Sequence, residues 1–120
     1  MRQTRSAAIL LVAAVLLLSC SGERARTPET DALIRAARAG NADSVRTLLT
    51  SPNVDINGAD EQGNTALIEA ARFGHDEVVT SLLLQRADAS VKNHQGKSAL
   101  MLAAEGGHDQ TVRTLSQAGK

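Results

Sequence analysis

One phrase recurs three times along this chain, and it leaves the fold little freedom. DALIRAARAG (residues 31–40) lines up with TALIEAARFG (65–74) and with SALMLAAEGG (98–107). The closing glycines are Gly40, Gly74 and Gly107, so the steps are 34 and 33 residues. A self-similar period of that size marks a stack of identical supersecondary units rather than a single closed core. The extra residue of the first step falls near Pro52 and Asn53, between helices, where an insertion is tolerated.

Each copy has the same internal grammar. Asp31, Thr65 or Ser98 is expected as a helix N-cap, its side-chain oxygen accepting from free N–H groups of the first turn. A short helix follows, with Leu33, Leu67 or Leu100 and an Ala-Ala pair at 36–37, 70–71 or 103–104. Alanines there let a neighbouring helix come close. Gly40, Gly74 and Gly107 suit a left-handed residue that ends this helix. A second helix carries Val45, Leu48 and Leu49, then Val79, Leu82 and Leu83, then Val112 and Leu115, at i, i+3, i+4 spacing. Residues 54–63 and 87–96 read as hairpin-like loops between units. The fold class is therefore an all-α repeat, an α-solenoid of about three helix–turn–helix pairs. The last unit stops at Gly119-Lys120 after its second helix, and Thr114, Ser116 and Gln117 suit a terminal face open to water, so the domain is expected to be complete at three units.

Composition agrees with helix packing. The hydrophobic fraction of 42% is carried by Ala and Leu, with no Trp or Tyr and one Phe. Small and medium aliphatics suit close helix contacts better than a β-sandwich. Formal net charge is zero, without a basic stripe or stacking aromatics, so a nucleic-acid footprint is not expected.

The first twenty residues are read apart from the fold. Arg2 and Arg5 precede an unbroken apolar run from Ala7 to Leu18. Twelve helical residues span about 18 Å, short of a hydrocarbon core of about 30 Å. The run has the length of a secretory signal. Leu17-Leu18-Ser19-Cys20 resembles the lipobox of bacterial lipoproteins, with Leu18 at a position more often Ala, Ser or Thr. Cys20 is the sole cysteine, and acylation would consume a thiol otherwise left unpaired in an exported chain. A plain signal peptide or an uncleaved anchor would also carry these residues. The resemblance implies a signal over 1–19, lipidation (palmitate) at Cys20, a flexible tether over 20–30 and a repeat domain over 31–120, divided 31–63, 64–96 and 97–120. Ser21 after the Cys points, by the same resemblance, to the outer membrane facing the periplasm.

The three copies resemble ankyrin repeats. Asp60, Gly63, Thr65, Leu67, Ala70, Ala71, Gly74 and His75 match that pattern, and Gly96, Leu100, Ala103, Ala104, Gly107 and His108 match it again. Ala32, Ala66 and Ala99 replace its Pro, while Ile34, Ile68 and Met101 replace its His. The hydrogen bond from that His to the cap hydroxyl is thus expected to be missing, with modest stability as the result. Arg86 stands where a Gly normally ends the second helix.

The resemblance implies a non-enzymatic module that binds a protein, with no cofactor, no metal and no small-molecule substrate. It places partner contacts at Arg38 in the first unit, at Glu61, Gln62, Asn64, Arg72 and Phe73 in the second, and at His94, Gln95, Lys97 and Glu105 in the third, beside Ala39 and Gly106. Phe73, flanked by Arg38 and Arg72, is the expected hot spot, although local packing against the next unit would also suit it. His75 and His108 are expected to bond to neighbouring backbone rather than to metal. No nucleophile elbow or phosphate-cradle spacing is present, so no catalytic residue is assigned. The expected function is to bind and stabilise a periplasmic partner. An inhibitor of a toxin or enzyme, or a purely structural envelope lipoprotein, would present the same sequence features.

Overall fold

The computed structural model describes residues 27–118. The expected signal segment, Cys20, tether residues 20–26 and Gly119 lie outside the described residues. Among the described residues six helices follow one another: α1 (Pro28–Ala39), α2 (Ala42–Leu49), α3 (Ala66–Arg72), α4 (Asp76–Leu84), α5 (Ala99–Glu105) and α6 (Asp109–Ala118). The first helices α1, α3 and α5 pack side by side in one row, and the second helices α2, α4 and α6 form another. Among the described residues there is no strand. The intervening loops are pinched by single antiparallel bridges, Ala59 with Thr65 and Lys92 with Ser98.

Local signals account for most helix ends. Thr65 Oγ1 accepts from the Ile68 N–H at 3.2 Å, and Ser98 Oγ from the Met101 N–H at 3.4 Å. Asn41 does the same for α2, accepting from Ser44 N–H. The first unit departs from expectation, because Asp31 is not a cap. Helix α1 starts one turn earlier, at Pro28, with Thr27 as N-cap. Proline suits the first helical position, where a missing N–H costs nothing and φ is already helical. Residues 27–30, expected as tether, therefore belong to the domain.

That added turn ties down the loop carrying the extra residue. The Asp55 N–H donates to Thr30 Oγ1 at 2.9 Å, and the Thr27 hydroxyl donates to the Asn53 carbonyl at 2.8 Å. The Thr30 hydroxyl must then donate to Thr27 Oγ1, 2.8 Å away. The insertion near Pro52 is thus held by a one-directional hydroxyl chain.

Burial divides each unit into two faces. Leu33, Ile34, Ala37 and Val45 are buried, as are Leu67, Ile68, Ala71 and Val79, all on the side that the following unit covers. Ala66, Ala70 and Val78, then Ala99, Ala103 and Thr111, are buried toward the preceding unit. The isoleucines that replace the family's His therefore contribute apolar burial, about 1.5–3 kcal/mol each, where a hydrogen bond would otherwise stand. The terminal polar residues behave unequally. Ser116 and Gln117 are exposed, but Thr114 turns back and donates to Asp76 Oδ1 of the middle unit at 2.8 Å.

Imidazoles lock successive units. His75 Nε2 lies 3.0 Å from the Arg38 carbonyl, and His108 Nε2 lies 3.2 Å from that of Arg72, each donating to it. Each ring rests on the preceding unit's glycine, where a Cβ on Gly40 would come within 2.5 Å of His75 Nδ1 and one on Gly74 would collide with His108. The glycines also hold φ of 74° and 72°, a region that disfavours other residues. Arg86 is held at φ 65° after α4, the one non-glycine with positive φ among the described residues. Glycine relieves that strain while adding chain entropy to the unfolded state. Arg86→Gly is expected to stabilise the fold by about 0.5–1 kcal/mol, raising Tm by roughly 2–6 °C in a circular-dichroism melt.

Candidate functional site, a groove beside the hairpin tips

Two hairpins present their tips beside the first-helix row. Each is shaped by one side chain that accepts twice from its own loop. Asp60 Oδ1 accepts from the Gln62 and Asn64 N–H groups, both at 2.9 Å. Asn93 Oδ1 accepts from the Gln95 and Lys97 N–H groups, both at 3.0 Å. The tips are then tied to each other. The His94 N–H donates to the Gln62 carbonyl at 3.0 Å, and Asn93 Nδ2 donates to Asn64 Oδ1 at 2.9 Å.

Between these tips and the helix row lies an open groove of about 740 Å³. Its walls include Glu61, Gln62, His94 and Gln95 from the hairpins, with Arg72, Leu102 and Glu105 from α3 and α5. Lys97 and Glu105 close one side as an ion pair, Nζ to Oε1 at 2.7 Å. Such a partly exposed pair contributes little stability but neutralises the wall it belongs to. Of the expected contact residues in the second and third units, all but Phe73 line this groove. Asn64 does so with only 6% of its surface exposed, so its amide is part of the frame that holds the tips.

Phe73 and Arg38 are placed differently. Phe73 is the C-cap of α3, 46% exposed, and is not among the groove's lining residues. The Arg72 guanidinium lies over its ring, 5.5 Å from the centroid, and the His75 ring is 6.3 Å away. It is an exposed ring beside the groove, not a core residue. Arg38 does not flank it as a free cation. Arg38 Nε donates to Glu69 Oε2 at 2.6 Å, and its NH2 lies 3.7 Å from Asp60 Oδ2. The hydrogen bond to Glu69 and that residue's charge raise the Arg38 pKa further.

Glu69 was not anticipated from the sequence. Its side chain is 1% exposed, enclosed by the helix row, with Arg38 on one side and Arg72 NH1 at 3.8 Å on the other. Glu69 Oε1 and Asp60 Oδ2 accept no hydrogen bond among the described residues. A buried carboxylate needs a cation, and Arg38 of the preceding unit supplies it. One signal was legible: Glu69 stands at the repeat position of Arg35 and Leu102, three residues before Arg72. Asn93, the other wall residue not singled out, sits at the repeat position of Asp60.

Repeated helix pairs, glycine-histidine locks and capped hairpins agree with comparison to known proteins. A family profile of ankyrin repeats in three copies matches residues 7–93. The chain belongs to the ankyrin-repeat family. The third unit's helices, beyond that span, repeat the geometry of the first two. Over 62 residues the chain is 44% identical to ankyrin repeat domain-containing protein 29 of Danio rerio, and 44% identical to the protein of the same name in Homo sapiens. The aligned stretch is 52% of this chain and 21% of each relative, so the chain spans about a fifth of their length. Ankyrin repeats are generally protein–protein interaction modules, and the family is typically non-enzymatic.

The ion-pair cluster gives a stability test. Arg38→Ala leaves the buried Glu69 without its hydrogen-bonded cation and is expected to cost about 1–3 kcal/mol in urea unfolding. Arg72→Ala, which removes the longer contact to Glu69 and the exposed contact with the Phe73 ring, is expected to cost under about 1 kcal/mol.

Proposed function

We propose that this chain is a non-enzymatic binding protein, tethered in the bacterial envelope through a lipid on Cys20, that holds and stabilises a periplasmic partner protein. The groove of about 740 Å³ is the observation that carries the binding part of this reading. It has a frame of fixed hairpin tips and a mixed lining, with one exposed aromatic ring beside it. Such a surface suits a polar segment of a partner, with Phe73 as the apolar anchor and Arg72 held against it. The reading of Leu17-Leu18-Ser19-Cys20 as a lipobox supports the tether, and tethering raises the local concentration for a partner on the same membrane.

Two substitutions test the parts separately. Phe73→Ala removes an exposed ring, so it is expected to melt like the parent while losing about tenfold or more in affinity for a partner captured by crosslinking through His94. Retention of that partner at full affinity would remove Phe73 from the site. Cys20→Ser is expected to abolish incorporation of labelled palmitate and to release the signal-cleaved chain from membranes. Continued membrane retention would overturn the anchor. A captured enzyme should keep or gain activity in the complex; loss of its activity would replace stabilisation by inhibition.

A further inference from the structure

The third unit leaves open the face that the first two bury. Leu100 is 39% exposed and Met101 45%, although their counterparts Leu33, Leu67, Ile34 and Ile68 are buried. Ala104 is exposed where Ala37 and Ala71 are buried, and Val112 is half-buried where Val45 and Val79 are fully covered. The glycines tell the same story. An imidazole sits against Gly40 and Gly74, whereas a Cβ placed on Gly107 would meet nothing within 4 Å. The outer face of the third unit is thus an apolar platform with a hollow in it, built to the same pattern as the two interfaces between the described units.

We propose that two copies of the chain associate tail to tail through this face, with Met101 of each beside its counterpart near the two-fold axis and Leu100 of each seated against Ala104 and the Gly107 hollow of the other. Continuity with the internal interfaces favours a protein surface of the same kind over any smaller ligand. The leading face of the first unit of a second copy is the poorer match. It carries Ala32 and Ser44, both only partly covered among the described residues, and Asn41 occupies the position of the histidines that fill the glycine hollows. It would cover the platform with small and polar groups and leave Gly107 without its ring. A two-fold pairing instead buries both apolar faces at once and closes, where head-to-tail stacking would run on into a filament. Lys97 and Glu105, nearby, neutralise each other. Because the groove adjoins the third unit, the pair would also present two grooves to one partner, independent of what that partner is.

Analytical ultracentrifugation of the full-length chain in mild detergent, from about 1 μM to 1 mM, tests this, with a dimer expected at a dissociation constant of roughly 10–100 μM for so small a face. Met101→Glu and Ala104→Glu alter exposed side chains, so each is expected to melt like the parent while weakening association at least tenfold. Met101→Lys should do the same, and an equimolar mixture of Met101→Glu with Met101→Lys should regain the parental association, because residue 101 faces its own counterpart near the two-fold axis. A parent that stays monomeric at 1 mM would overturn the proposal. So would association untouched by Met101→Glu, failure of the mixture to recover, filaments in place of dimers, or a photocrosslink from position 101 to residues 7–18 of the same chain.

Discussion

The first two helix pairs of this molecule each bury four apolar side chains on one face, and that burial is complete only because the next pair is in place. Leu33, Ile34, Ala37 and Val45 depend on α3 and α4, and Leu67, Ile68, Ala71 and Val79 depend on α5 and α6. No unit of about thirty residues could bury enough surface alone to offset its own conformational entropy. Cohesion therefore runs along the stack. Alanines facing backward from each unit allow the close approach, and the imidazole resting on the previous glycine fixes the step.

The groove inherits its shape from that step. Asp60 and Asn93 fold their own loops, but the distance between the two tips is set by helices that the loops do not belong to. The His94 and Asn93 bonds to the previous tip then carry the helix spacing out to the rim. Glu69 plays a comparable part deeper in the row. Its charge holds Arg38 across the unit boundary, so Arg38, half exposed at the surface, also neutralises a buried carboxylate.

The units, their helices and the caps at Thr65 and Ser98 were legible because they depend on local chemistry repeated in register. The left-handed glycines and the backbone-bonded histidines were legible for the same reason. Asp31 misled because repeat alignment hid the stronger local signal of Thr27-Pro28 one turn earlier. Thr114 misled because a hydroxyl near the chain end reads as solvent-facing until the helix phase shows it pointing back at Asp76. Phe73, whose equivalents are Ala39 and Gly106, was expected as a contact residue with local packing as the alternative, and it is exposed. Its position beside the groove rather than within the lining depends on how α3 ends against α5 and the hairpins.

The sequence by itself determined that this chain is a stack of ankyrin units, because period, capping residues and the glycine-histidine pairs act over a few residues. It also determined which positions reach the hairpin tips, since these follow from register. Only the tertiary structure decided which of those side chains are free. Asn64 is consumed in the frame, Arg38 is held by Glu69, and Lys97 is paired with Glu105, while Met101 is left exposed where its counterparts are buried. The physical reason is that a side chain's availability depends on what the neighbouring unit, some thirty residues away, brings against it.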